Sequence, residues 1–240
     1  MATNLSENYN KVLENISIAA SRSGRPAEAV RLVVVTKGQS VNKIREVIAA
    51  GASDLGENYP EETIQKINEM GSLASSVRWH MIGHLQSRKI KYVIQAFACM
   101  HSIDRTSIAS ELNARLDRPM DVLLEVNLSG EESKGGFLLA EPKSWPGFSK
   151  IVSDLSKLEK LRIIGLTTMP PYAQEPETSR PIFRKCKELC DFVAKETGLT
   201  TMKEISMGTS LDYLVAIEEG ATFVRVGEAI MGPRDYSKKI

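Results

Sequence analysis

Residues that carry metal and redox chemistry are scarce in this sequence, which has three cysteines and three histidines in 240 residues. Three cysteines cannot form a disulfide framework without leaving one over, so a reducing compartment, the cytoplasm, is the expected location. An excess of charge of one sign is also missing. With 31 Lys+Arg against 30 Asp+Glu the net charge is +1, which offers no electrostatic footprint for nucleic acid or an anionic membrane. No apolar run approaches the ~18 residues a membrane helix needs. The opening MATNLSENYNKVLENIS has early polar and acidic residues and no apolar h-region, so no secretory signal is predicted. Linkers, low-complexity stretches and repeats of roughly 20–50 residues are absent as well. What remains is an ordinary globular composition, 42% apolar and 25% charged. The length suits one large α/β domain over residues 1–240 and is too short for a full second one.

Short apolar, β-branched runs recur along the chain, each followed by a helical pattern. Strands are predicted at Leu32–Thr36, Ser53–Gly56, Val77–Ile82, Met100–Ile103, Val122–Val126, Arg162–Leu166, Lys203–Ser206 and Thr222–Val226. Amphipathic helices are predicted at Val41–Ala50, Pro60–Met70, Ser107–Leu116, Arg180–Glu196 and Leu211–Glu219, with a further helix over about Leu5–Ser23 before the first strand. Gly51, Gly71, Gly198 and Gly220 stand where left-handed cap residues are expected. Eight strands alternating with helices imply parallel pairing through right-handed crossovers. About 30 residues per βα unit fits a single (β/α)8 TIM barrel with an extra N-terminal helix. The alternative, an open doubly wound sheet, lacks its usual G-x-G-x-x-G after the first strand, which runs instead into Thr36-Lys37-Gly38.

Active sites of such barrels form at the C-terminal ends of the strands. Lys37 ends the first strand. A desolvated lysine there has a lowered pKa and an amine able to attack a carbonyl as an imine-forming nucleophile; the plainer alternative is a charge that has reached the surface. The seventh and eighth strands lead into Ser206-Met207-Gly208-Thr209-Ser210 and into Gly227, small-residue turns of the kind that hold a phosphate on backbone N–H groups. Helix capping by Ser or Thr is the competing account of each turn alone. Together the three strand ends suggest a phosphorylated carbonyl compound, and pyridoxal 5′-phosphate (PLP) fits. Arg225, in the last buried strand, needs a partner. It either faces the pyridine nitrogen, where a guanidinium accepts no proton and weakens the ring as an electron sink, or forms a structural ion pair with a carboxylate such as Glu57.

The stretches Val35-Thr36-Lys37, Gly56-Glu57-Asn58-Tyr59, Trp79 through Gln86, Val126-Asn127-Leu128-Ser129 with Lys134 and Gly136, Gly165 through Met169, Ser206-Met207-Gly208 with Ser210 and Asp212, and Val224-Arg225-Val226-Gly227 through Gly232 and Arg234 together resemble the pyridoxal phosphate homeostasis protein family. That resemblance implies a barrel like the N-terminal domain of alanine racemase. It makes Lys37 the Schiff-base lysine, sets Ser206, Ser210 and Gly227 at the phosphate and Arg225 beside the pyridine nitrogen, and lines the pocket with Asn58, Met207 and Gly208. It further implies a carrier or buffer of PLP that influences vitamin B6 and amino-acid pools, with no established turnover. Apo forms of PLP-dependent enzymes are then the expected recipients. Thr209, where a second methionine is frequent, and Pro60-Glu61 depart from the family pattern without removing a residue the cofactor needs.

Other chemistries are weaker. His80 and His84 lie on a strand ending at Gly83 and are about 13 Å apart if extended, too far for one metal. Cys186 and Cys190, four apart on a helix, lack further ligands and read as half-buried structural thiols. Lys134 and Arg234 read as solvated charges by default, and Tyr59 as a ring near the pocket or at the barrel edge. A racemase-like PLP enzyme is the main functional alternative. It needs a second acid/base group that alanine racemase takes from a β-domain and a partner subunit, and a chain ending at Ile240 is expected to lack that domain. A Schiff-base aldolase without cofactor is the third reading. With no second domain to share a site, a monomer is expected.

Overall fold

The computed structural model describes residues 4–233. Helix α1 (Leu5–Arg22) comes first. There follow β1 (Arg31–Val35), α2 (Val41–Ala49), β2 (Asp54–Glu57), α3 (Pro60–Met70), β3 (Arg78–Met81), α4 (Ile90–Ala96), β4 (Cys99–Ile103), α5 (Thr106–Arg115) and β5 (Met120–Asn127). The second half holds a two-residue strand β6 (Phe137–Leu138), α6 (Trp145–Leu155), β7 (Leu161–Thr167), α7 (Arg180–Thr197), β8 (Glu204–Ser206), α8 (Tyr213–Glu218), β9 (Phe223–Val226) and α9 (Glu228–Met231). All pairings are parallel. β1 pairs with β2 on one side and β9 on the other, and β4 joins β5, so β1–β5 and β7–β9 close an eight-stranded barrel, with β6 appended to the end of β5.

Period two along each strand sorts the side chains. On β1, Val34 faces the surrounding helices and belongs to the large outer core, whereas Val33 points inward with Cys99, Leu123, Ile164 and Phe223. Fully burying such Val, Ile or Phe side chains contributes about 1.5–3 kcal/mol each, and Phe97, Phe183, Ile44 and Ile108 are among those sealed in the outer layer. Neighbouring strands come unusually close at Gly165, where a Cβ would lie 1.7 Å from the Glu204 carbonyl oxygen. The N-terminal end of the barrel is closed by charge. Arg31 pairs with Glu204, Arg78 with Asp54 and Arg162 with Asp121, each near the start of its strand.

All eight predicted strands are present, with ends shifted by a residue or two. α1 lies where expected. Asn4 caps it by accepting from the Glu7 N–H, and Leu5, Tyr9, Val12, Ile16 and Ala19 make its buried stripe against the barrel's outer helices. The four glycines expected beyond helix ends have positive φ, from 64° at Gly71 to 110° at Gly51. α8 is shorter than the predicted Leu211–Glu219, because the Asp212 carboxylate accepts from the Thr209 N–H and hydroxyl and holds 209–212 as a turn. α4 and α6 were outside the predicted set. α4 has only seven residues. α6 opens on Trp145-Pro146-Gly147, which reads as a turn, yet Phe148, Val152 and Leu155 recur on one face and bury it. No helix of the described residues is long and apolar enough to cross a membrane.

Candidate functional site

Strand register brings the predicted residues to one end of the barrel. Val35 pairs with Gly56, and continuing that register by two residues sets Lys37, just past β1, beside Asn58, just past β2. Both are half-buried. On its other side β1 reaches Gly227, where a Cβ would lie 3.2 Å from that of Val35. Gly208 joins the same end, its carbonyl accepting from the Arg225 N–H. Its φ of +88° and the 2.6 Å a Cβ would leave to the Ala216 methyl exclude larger residues there.

Arg225 is buried, and both of its Nη atoms are engaged. Nη1 donates to Thr167 Oγ1 at 3.0 Å and Ser206 Oγ at 2.5 Å; Nη2 donates to the Thr168 carbonyl at 3.1 Å and to Met169 Sδ. Burial lowers its pKa, opposed by the negative charges of Glu125 and Asp212, but a guanidinium keeps its proton in proteins regardless. Glu57 is not its partner. That carboxylate is sealed on the outer side of β2, where Lys66 and the Thr36 hydroxyl donate to it, both at 2.7 Å. Burial pushes Glu57 up, and Lys66 and Thr36 pull against it.

Two predicted residues have different places from those expected. The Ser206 side chain lies beneath Arg225 inside the barrel rather than at the open turn, its hydroxyl taken by Arg225 and His101. Met207 turns the opposite way, as period two demands, into the outer core, and its N–H donates to the Phe223 carbonyl. Ser210 is at the turn as expected. Its Oγ accepts from the N–H groups of Gly227 and Ala229, both at 3.2 Å, gathering two amides from the turn after β9 onto one oxygen acceptor.

Several neighbouring residues were given no role from the sequence, although Thr167 and Thr168 stand in one of the stretches that carry the resemblance. Thr167 and Thr168 hold Arg225 from the end of β7. His101 lies hidden in an apolar strand, and its position on an inward face was the available clue. Glu125 points to the mouth from β5. Burial and then Asp104 raise its carboxyl, and Arg225 and His84 pull it back. His80 pairs with His101, not with His84, which binds Asp104 at 2.6 Å near the surface. Cys186 and Cys190 are buried more deeply than expected, and burial raises both thiols, Cys190 to about 12. Lys134 is half-buried in the loop after β5, with its carbonyl accepting from Asn127. Tyr59 is 55% exposed at the start of α3, and Arg234 lies outside the described residues.

The donor set suits an aldehyde bearing a phosphate. An amine-bearing strand end, two converging amides and a buried guanidinium share one face of the barrel. Asn58 Oδ1 is buried with no hydrogen-bond partner, an acceptor left open at the same mouth. Its backbone is held by Gly83, where a Cβ would come within 2.7 Å of Asn58 Cα.

Comparison with known proteins gives the family and the fold. The family model for the alanine racemase N-terminal domain matches residues 8–235. The chain is 38% identical over 236 residues to the pyridoxal phosphate homeostasis protein of Aquifex aeolicus, covering 97% of this chain and 100% of that one. It is 37% identical over 239 residues to the protein of the same name from Escherichia coli, covering 98% and 99%. Among solved structures, Synechococcus elongatus PipY with PLP bound superposes with a TM-score of 0.78 at 29% identity, over 92% of this chain and 100% of PipY. Alanine racemase from Corynebacterium glutamicum shares the fold, with a TM-score of 0.64 at 18% identity; 96% of this chain covers 63% of that enzyme.

Proposed function

The chain belongs to the pyridoxal phosphate homeostasis proteins, built on the alanine racemase N-terminal domain, and from that footing we propose that it holds PLP at the barrel mouth as a reserve for other proteins. The observation that carries the reading is the convergence of Lys37, Asn58, Arg225 and the Ser210–Gly227–Ala229 turn at one strand end. When bound, PLP supplies an aldehyde carbon for a lysine amine, here assigned to Lys37, to hold as a Schiff base. The turn built on Ser210, Gly227 and Ala229 would hold the phosphate, its two amides turning to it from Ser210 Oγ, and Gly208 lets the chain turn beside it. Asn58 orients the ring edge from β2. Ser206 acts beneath Arg225, and Met207 contributes through its backbone.

Arg225 argues for storage over turnover. Its four contacts hold the guanidinium in place, where it would stand beside the ring nitrogen as a cation that accepts no proton. The ring would then be a weaker electron sink than one with a protonated nitrogen, which slows amino-acid chemistry on PLP. The names of the curated relatives support the same reading. A cytoplasmic monomer that passes PLP to apo enzymes completes the proposal. Adding PLP to the purified protein is expected to produce the yellow imine absorbance, which D- and L-amino acids leave without product. A protein that stays colourless overturns the binding assignment, and steady product formation overturns the storage role.

A further inference from the structure

Inside the barrel, below the mouth, a line of polar side chains crosses the apolar interior. Ser206 Oγ lies 2.8 Å from His101 Nδ1, His101 Nε2 lies 2.9 Å from His80 Nδ1, and His80 Nε2 lies 2.8 Å from Asp54 Oδ1. Arg225 joins the upper end at 2.5 Å and Arg78 the lower end at 2.7 Å. The residues come from β2, β3, β4, β8 and β9. His80, His101 and Phe223 meet edge to face, with centroids 5.1–5.9 Å apart, and fill the middle of the barrel. The two imidazoles and Cys99 form the cluster of possible metal ligands, but all four ring nitrogens already hold hydrogen bonds.

The proton positions follow from which ends can only donate or only accept. Arg225 can only donate, and the ionised Asp54 can only accept. Burial raises Asp54, but the hydrogen bonds it accepts from His80 and Ser53 and the charge of Arg78 outweigh it and keep the carboxyl low. As a neutral imidazole, His80 donates from Nε2 to Asp54 and accepts at Nδ1. His101 donates from Nε2 and accepts at Nδ1, and the hydroxyl that accepts from Arg225 donates down into His101. Every bond runs from mouth to floor, and among the described residues no polar side-chain atom of the line is left unpaired.

We propose that His101 and His80 are positioning residues for Arg225, a one-way hydrogen-bond column that turns the Ser206 proton away from the mouth and leaves the guanidinium alone to face the bound ring. The consequence for the ring rests on the PLP reading; the column itself does not. The surrounding charges keep His101 neutral. Arg31, Arg78 and Arg162 face it from the floor, each beside a carboxylate, Glu204, Asp54 and Asp121 respectively. Arg225 and Glu125 lie at the mouth, with the buried Cys99 thiol alongside on β4. Burial first, then the positive charges of Arg225 and Arg31, hold the His101 imidazolium well below the ordinary histidine range. A second proton on His101 would leave Ser206 Oγ with donors from both Arg225 and His101 and turn its own hydrogen toward the site.

Two measurements test the column. Nitrogen-15 NMR of the wild-type protein without PLP is expected to show His101 as the neutral Nε2–H tautomer throughout about pH 5 to 8, and His80 with an accepting Nδ1 at neutral pH. A titrating or Nδ1-protonated His101 overturns the proposal whether or not PLP binds. The second is a double-mutant cycle read by the absorbance of the PLP-loaded protein. His101→Phe is expected to shift the band and make it pH-dependent, and to add nothing in a Ser206→Ala background. Equal band shifts in both backgrounds show that His101 does not act through Ser206 and overturn the proposal. Loss of the band in every form, with the NMR result intact, refutes PLP binding and leaves the column standing.

Discussion

Ser210 Oγ accepts the backbone N–H of Gly227 at 3.2 Å, tying the turn after β8 to the turn after β9. The same oxygen takes the Ala229 amide, so one hydroxyl organises both walls of the assigned phosphate site. Ser210→Ala is expected to lower unfolding stability by about 1 kcal/mol, as for a lost helix cap, and to weaken PLP binding about tenfold, about 1.4 kcal/mol. Pyridoxal without its phosphate is expected to bind both forms equally. Titrations of the two ligands check this, and equal losses for both would place the phosphate elsewhere.

Lys37→Ala is expected to abolish the borohydride-reducible adduct while leaving the circular dichroism spectrum and Tm near those of the wild type. Lys37 is half-buried at a strand end and belongs to neither apolar core cluster. A reduced adduct mapped to a different lysine would reassign the Schiff base.

Gly83→Ala separates the site from the fold. The new methyl would meet Asn58 Cα and its carbonyl oxygen at 2.7 Å, so the end of β2 must shift. Weaker PLP binding with a modest loss of Tm is the expected outcome, measured by spectral titration and thermal melts. Gly165→Ala is the contrast. With 1.7 Å to the Glu204 carbonyl, it is expected to prevent closure between β7 and β8 and yield little folded protein.

Arg225→Glu sets a carboxylate among Thr167, Ser206 and the Thr168 carbonyl. Leaving such buried groups badly paired costs about 1–3 kcal/mol each, so denaturant midpoints are expected to fall. A carboxylate can also pair with a protonated ring nitrogen, so the cofactor band is expected to move to longer wavelength. An unchanged spectrum and affinity would remove Arg225 from the ring.

Stability is expected to depend on pH through His101. Its folded pKa is depressed, mainly by burial, so the folded state binds fewer protons than the unfolded chain. Its contribution is full above the unfolded value of about 6.5 and is lost as pH falls from there toward the folded pKa, at up to about 1.4 kcal/mol per pH unit. Denaturation at a series of pH values is expected to show this slope in the wild type and a flatter one in His101→Phe.

The barrel was readable because each strand is an apolar β-branched run and each crossover a helical stripe, signals that sit within a dozen residues of chain. The residues proposed for the mouth were picked out for a related reason: Lys37, Ser210 and Gly227 stand two, four and one residues after the ends of β1, β8 and β9. The interior column was not. His80 and His101 are 21 residues apart and His101 and Ser206 are 105 apart, so their meeting depends on how eight strands register around a closed ring. Period two says that Ser206 points inward and Met207 outward, but it does not say what stands opposite. For the same reason the sequence placed Ser206 at the turn and considered Glu57 for Arg225, a pairing that the sidedness of β2 forbids.

The three arginine–carboxylate pairs at the strand starts, with Phe223 and the two imidazoles stacked above them, make the barrel a cup and not a tube. Cargo held at its rim has a single doorway, used for arrival and departure alike. On the reading proposed above, a recipient protein would approach from the lysine side, and loading and unloading would compete for the same opening.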